Sequence, residues 1–147
     1  MTELNTSGLA LYVIDAVQSA ADPARSVQVQ GRYRAYRAAQ GKNAADDGVR
    51  ALLRTFEQAG DGDQWAGKVG NFRRRYNPAA APVAAAAIER AAGLLYAHRI
   101  NDTANLASAL VSRELNAELE RGLTEIAGSS AWVRLCELTG LRQLTPA

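Results

Sequence analysis

The chain has 147 residues, of which 48% are apolar, and a formal charge of +2. That is the length of one domain with enough apolar content for a single core, and one cysteine is too few for a disulfide framework or a cysteine-only metal site. Thirty alanines against nine aromatic residues favour close-packed helices over a β-sandwich, whose strands want β-branched and ring side chains.

One histidine, His98, and one cysteine, Cys136, leave too few soft ligands for a structural zinc site. Residues 1–7 are polar, and the apolar stretch 9–17 is short and interrupted by Asp15, so no secretory leader is expected. No run of about eighteen apolar residues occurs. These features together predict a soluble cytoplasmic chain without a membrane partner or a cofactor.

In chain order, Ser7 is placed to cap a first helix with apolar residues at Leu9, Tyr12, Val13, Ala16, Val17 and Ala20, the spacing of one buried stripe. Asp22-Pro23 reads as a cap followed by proline at the first helical position. The next segment carries two patterns. Val27, Val29, Gly31 and Tyr33 alternate with polar residues as in a strand, while the proline start and the Ala-rich exit fit a helix; a lone strand would lack a partner, so a helix is expected.

Residues 41–43 break the chain. Asp46 and Asp47 fall in the expected first turn of the next helix, where the dipole favours acids, and Asp46 and Arg50 are four apart in the favourable order. Val49, Leu52, Leu53 and Phe56 form its apolar stripe, and residues 60–63 make a turn. Trp65, Val69, Phe72 and Tyr76 recur at helical spacing until Asn77-Pro78 ends the run.

Pro82 opens an Ala-rich helix through Ile88, Ala91, Leu95 and His98. Asn101-Asp102 caps the next, a single long helix carrying Ala107, Val111, Leu115, Leu119, Leu123 and Ile126 along one side. After the interruption at 128–130, Trp132, Leu135 and Cys136 form a last short helix closed by Gly140, with 141–147 as a tail. The expected fold is all-α: a compact bundle of six or seven helices, with residues 1–147 as a single domain.

The basic residues are fifteen Arg and two Lys, a bias that a GC-rich genome also produces. Their placement is uneven. Residues 23–54 hold seven Arg or Lys against Asp46 and Asp47, net +5, and residues 67–78 hold Lys68, Arg73, Arg74 and Arg75 without an acid, net +4. Residues 1–22 and 55–66 are each −3. Tyr33 and Tyr36 interleave one basic block, Phe72 and Tyr76 the other.

Guanidinium forks donate in pairs to phosphate oxygens, and rings stack on bases, so Arg beside aromatics suits a surface that tracks phosphates. The spacing of Trp65, Phe72 and Tyr76 is equally that of a core face. Three consecutive Arg span roughly 200° of a helix, so they cannot all grip one straight phosphate row.

Catalytic constellations are scarce, and no enzyme is expected. Asp61 and Asp63 resemble the start of a calcium loop, but its twelfth position is Phe72 where a bidentate Glu is required. Apart from Arg134, nothing near Cys136 in sequence would activate it, so it reads as a buried structural residue. There is no Gly-rich phosphate loop ending in Lys-Ser/Thr, and Glu118 and Glu120 lie two apart on a helix, facing different ways.

Two stretches carry a resemblance: Val-Gly-Asn-Phe-Arg-Arg-Arg-Tyr-Asn at 69–77 and Leu-Leu-Tyr-Ala-His-Arg at 94–99. They resemble the small helical subunits of multisubunit CRISPR effector complexes, of type III or type IV kind. Those subunits carry an apolar-Arg-x-x-aromatic stretch and then a helix with a Leu-x-Tyr-Ala-x-x-Arg-like end. Val69 and Gly70 stand where the family often has Thr or Ser, and the second stretch is one residue shorter between Tyr and Arg. The resemblance covers about the last eighty residues.

The resemblance implies a non-catalytic subunit that stacks with copies of itself in a short filament. Such a subunit lines the path of guide RNA and target nucleic acid and contacts other effector-complex subunits. It carries the motif role to Arg73 and, second, to Arg99, for which a salt bridge or cap at the helix end is the structural alternative. Charge alone adds Arg74, Arg75, Lys68, Arg32, Arg34 and Arg37 to the expected nucleic-acid-binding set. The rival readings are a helical protein-binding module, such as an inhibitor, immunity protein or phage adaptor, whose basic blocks dock an acidic partner, and a nucleic-acid-binding filament or coat subunit.

Overall fold

Leu9, Ala10, Leu11, Val13, Ile14, Ala16 and Val17 are all buried, and at about 100° per residue they leave the first helix no solvent face along most of its length. The expected single stripe is therefore too narrow: this helix, α1 (Ala10–Ala21), is the central rod of the bundle. The computed structural model describes residues 8–21, 23, 26–60, 64–66, 69 and 80–140, without the side chains of 21 and 80–84.

Around α1 pack α2 (Ser26–Ala39), α3 (Val49–Ala59) and α4 (Ala80–Ala97). The chain then continues as α5 (Thr103–Leu110), α6 (Arg113–Ala127) and α7 (Ser129–Thr139), of which α7 lies along α1 and α6 bridges α4 and α7. A 3-10 turn, Ala44–Asp46, joins α2 to α3. The architecture is an all-α bundle. The sole extended pairing among the described residues is one antiparallel bridge between Gly8 and Asp102.

Asp15 is buried within this apolar rod and is held from three sides. Ser19 Oγ donates to its Oδ1 at 3.1 Å, and Ser26 Oγ, at the start of α2, donates to the same oxygen. From α7, Arg134 Nε and Nη2 reach Oδ2 at 3.1 and 3.0 Å. A residue that the sequence shows only as an interruption thus ties together the starts and ends of the chain.

In α2 only Ser26, Val29, Tyr33 and Arg37 are buried, a narrow helical stripe that resolves the two patterns in favour of helix. Pro23 lies in a 3-10 turn just ahead of the helix, while Asp22, its expected cap, lies outside the described residues. In α3, Val49, Leu52 and Phe56 are buried and Leu53 packs half-buried against them, as the spacing predicts. Trp65 stacks on Phe56 with ring centroids 4.5 Å apart and planes at 8°. Its Nε1 donates to Thr55 Oγ1 at 2.9 Å. Trp65 and Val69 are core; Phe72 and Tyr76 lie outside the described residues.

Pro82 falls in the first turn of α4, where its missing N–H has no intrahelical acceptor to lose. The long helix expected after Asp102 is two helices. Ser112 Oγ accepts from Leu115 N at 3.2 Å and caps α6 afresh, and Val111, expected on the apolar side, is 77% exposed at the break. The buried Asn116 side chain donates to the Leu110 carbonyl at 3.4 Å, helping to satisfy an acceptor that a continuous helix would have used. Ser129 and Ser130 open α7 rather than interrupting the chain, and Trp132, Leu135 and Cys136 are buried as expected.

Two glycines mark where backbones meet too closely for any side chain. A Cβ on Gly8 would lie 2.0 Å from the Asp47 carbonyl oxygen, and one on Gly48 would lie 2.4 Å from that of Asn101. Gly31, in exposed helix, faces nothing within 4 Å. Gly31→Ala is therefore expected to stabilise the protein by about 0.5–1 kcal/mol through helix propensity. Gly8→Ala is expected to destabilise it by about 2–3 kcal/mol through forced backbone displacement. Urea unfolding of the two variants beside the parent checks the opposite signs.

Candidate functional site

The site is built where three chain segments cross. Ala10 N donates to the Asp47 carbonyl at 3.0 Å, and Val49 N donates to the Asn101 carbonyl at 3.0 Å. Asn101 Oδ1 accepts from Arg50 N at 2.8 Å. The N-cap of α3 is Gly48, which has no side chain to cap with, so Asn101, far along the chain, satisfies the first amides of the helix instead.

Asn101 is itself held by the cap of α5. Asp102 Oδ1 accepts from Asn105 N at 2.8 Å, and Asn105 Oδ1 accepts from Asn101 N and Asp102 N at 3.0 and 3.1 Å. The turn that delivers Asn101 runs through Arg99 at φ 62°, a left-handed position that costs a non-glycine residue about 1–2 kcal/mol. Arg99 N donates to the Tyr96 carbonyl at 2.8 Å, and Ile100 N to that of Leu95 at 2.9 Å.

Beneath the junction lies a buried ion pair. Arg37 Nε and Nη2 donate to the two carboxylate oxygens of Asp47 at 2.7 and 3.1 Å, and Tyr33 Oη donates to Oδ2 at 2.8 Å. Arg37 Nη1 also donates to Gln40 Oε1 at 2.6 Å. Burial pushes the Tyr33 hydroxyl well above the usual tyrosine range, and its hydrogen bond to Asp47 adds to that rise. The hydrogen bond to Asp47 likewise makes Arg37 hold its proton more firmly than usual.

Over this base, two open hollows share Arg50 and Asn101. One, of about 430 Å³, is bordered by Asp46, Asp47, Gly48, Arg50, Ala51 and Arg54 with Asn101. The other, of about 440 Å³, is bordered by Arg50, Tyr96, Ala97, Arg99 and Asn101. Arg50, Arg54 and Arg99 are exposed, and among the described residues none of them pairs with a carboxylate. Asp47 is neutralised by Arg37, which leaves Asp46 as the acid on the rim without an ion-pair partner among the described residues.

Residues 2–143 match the family described as Domain of unknown function (DUF8548). The chain belongs to that family. No curated protein and no solved structure matches it. For this DUF8548 chain, the site therefore rests on its own geometry.

The expected binding residues are distributed unevenly. Arg99 lines the second of the two hollows. Arg37 is a correction: it is buried and committed to Asp47, so it serves the fold and cannot meet a ligand. Asp47 is corrected with it, since it follows the 3-10 turn as an ion-pair partner and does not sit in the first turn of α3. Arg32 and Arg34 are exposed on α2, two residues and so about 200° apart. Arg34 borders a separate cleft of about 180 Å³ beside Tyr12, Asp15 and Gln30. Lys68, Arg73, Arg74 and Arg75 lie outside the described residues.

Of the rings expected to interleave the first basic block, Tyr33 is buried and Tyr36 is half-buried with its hydroxyl donating to Gln58 Oε1 at 2.9 Å. Arg50 and Arg54 were absent from the expected set. Their signal was present: they lie four apart, off the Val49-Leu52-Phe56 stripe, and so point away from the core. His98 Nδ1 is 3.0 Å from the Leu94 carbonyl, and its Nε2 stands 3.9 Å from Glu118 Oε1. Among the described residues, no three His, Cys, Asp or Glu side chains converge as a metal site, and no helix is long and apolar enough to cross a membrane.

Two outcomes follow from the buried pair. Asp47→Ala strands Arg37 and Tyr33 without their acceptor, and chemical denaturation should show a loss of about 3–5 kcal/mol. The folded protein also holds the Tyr33 proton more tightly than the unfolded chain. Below about pH 10, the unfolded tyrosine value, that preference is fully present. Above it, stability should fall with rising pH by about 1.4 kcal/mol per unit from this group alone. Tyr33→Phe should remove that part of the alkaline slope in pH-dependent urea titrations.

Proposed function

We propose that this DUF8548 chain is a non-catalytic binding subunit that holds nucleic-acid backbone on the face formed by Arg50, Arg54 and Arg99. The observation that carries the reading is that three exposed guanidinium groups from two distant segments, none paired with a carboxylate among the described residues, line two hollows that share Arg50 and Asn101. Guanidinium forks match phosphate oxygens geometrically, and contacts of this kind position a strand without reading its sequence.

The resemblance in residues 69–99 to small subunits of CRISPR effector complexes supports a setting for this binding. In that setting the chain lies in a cytoplasmic ribonucleoprotein beside guide RNA and target strand, in contact with other subunits and with copies of itself. Each copy then supplies few phosphate contacts, and affinity accumulates along the filament. The basic run Lys68, Arg73, Arg74 and Arg75 adds to the same reading by charge.

Replacing Arg50, Arg54 and Arg99 together by Ala should weaken binding alike on unrelated sequences. The dependence of log K on log salt should become shallower by up to about 0.9 per lost contact on duplex DNA, or about 0.7 on single strands. Fluorescence anisotropy across a salt series measures this, and an unchanged slope rejects the groove. Affinity purification tests the setting: RNA of defined length with further subunits supports the ribonucleoprotein, whereas one acidic protein partner replaces it.

A further inference from the structure

Tyr96 departs from the pattern of the other described rings. Trp65, Trp132, Tyr33 and Phe56 are fully buried, and Tyr12 and Tyr36 are half-buried, but Tyr96 is 49% exposed. Its hydroxyl makes no hydrogen bond among the described residues. It lines the second hollow together with Arg50 and Arg99, at the end of a helix whose last turn is locked by the Arg99 and Ile100 backbone bonds. A half-exposed ring that shares a hollow with two cations, neither paired with a carboxylate among the described residues, offers its face to a ligand from a backbone position that is already fixed.

We propose that Tyr96 is a stacking platform for one unpaired base, so that the groove takes single-stranded nucleic acid in preference to duplex. This deepens the backbone-binding reading and rests on it. A duplex keeps its base faces inside its own stack, whereas a single strand can lay a base on an aromatic ring while its phosphates follow a positive groove. At about 440 Å³, the hollow lies within the range of roughly 300–1,000 Å³ that small-molecule and cofactor sites occupy, enough for one nucleotide. Arg50 and Arg99, which line the same hollow as the ring, would meet the phosphates next to that base, and Arg54, one turn along α3, the next one.

The amides that begin α3 contribute little to this grip, because Asn101 already accepts from Val49 N and Arg50 N. Recognition therefore falls to the three guanidinium groups and the ring. These parts give the site two separable components: a charge component that any polyphosphate strand feels, and a stacking component that only an unpaired base feels.

The test compares Tyr96→Ala, Tyr96→Phe and the Arg50, Arg54 and Arg99 triple Ala variant. The probes are a labelled single-stranded RNA, its DNA equivalent, and the corresponding duplexes, each measured over a salt series on the full chain. Tyr96→Ala should lose roughly 5- to 150-fold in single-strand affinity, the range of one stacked base. Its salt slope, duplex affinity and melting temperature should be unchanged. Tyr96→Phe should bind as the parent does, and a difference between the RNA and DNA arms identifies the strand. If Tyr96→Ala keeps its single-strand affinity while the triple variant loses binding, stacking is overturned and backbone binding stands. Equal losses on duplex and single strand also overturn it. If the triple variant binds as the parent does, the backbone reading falls and this inference falls with it.

Discussion

The structure depends on the carboxylate of Asp47. Its two oxygens accept from Arg37 and Tyr33 on α2, its carbonyl accepts from Ala10 at the start of α1, and its amide donates to Ala44 to close the 3-10 turn. The next residue, Gly48, admits the Asn101 backbone at a distance no side chain would allow. A buried ion pair is poor evidence of net stabilisation, because desolvating two charges offsets most of their attraction. What this one supplies is position. Three donors on two different side chains fix one carboxylate, and the main chain on either side of it then fixes where α1, α3 and the α4–α5 turn meet.

That junction decides which cations face solvent. Arg37 spends its charge inside, leaving Arg50 and Arg54 on α3 and Arg99 at the end of α4 as the cations around Asn101. Their relative placement is set by short backbone bonds, from Val49 and Arg50 to Asn101 and from Arg99 to Tyr96. None of these guanidinium groups sits on a long loop. The α4–α5 turn is held at both ends, by a helix C-terminus and by the reciprocal Asp102–Asn105 cap, so the cost of Arg99's left-handed backbone is borne by a segment with little freedom to relax it. The backbone positions that carry these three cations are thereby fixed relative to one another by the fold itself.

How far the sequence could be read depended on the range of each interaction. The α3 stripe, the cap at Asp102, the short α7 helix ending at Gly140 and the Trp65–Val69 face are set by residues within a turn or two of each other, and periodicity found them. The break at Val111 was also local, but Ser112 as a cap inside an apolar pattern competes with the continuous stripe. It takes the buried Asn116 side chain bonding back to Leu110 to settle the matter. Burial of α1 on all sides was legible only in part: its near-unbroken apolar run was visible, but which neighbours cover it depends on α4 and α7. The pairs Arg37–Asp47 and Arg134–Asp15 join different elements, and no local pattern marks them.

The same limit explains why charge counted along the sequence located the groove only in part. The net +5 assigned to residues 23–54 includes Arg37, whose charge Asp47 cancels in the interior, and Arg32 and Arg34, which project from α2 about 200° apart. Residues 79–102 sum to zero, yet they supply Arg99 to the groove, because Glu89 lies earlier on α4 and Asp102 turns its carboxylate to the cap of α5. The quantity that matters to a polyanion is the charge within about a Debye length of the surface it approaches, roughly 8 Å at physiological salt. Within the two hollows that charge is three guanidinium groups against one free carboxylate, Asp46. The fold, by burying one arginine and bringing residue 50 beside residue 99, concentrates in one place a potential that neither segment carries alone.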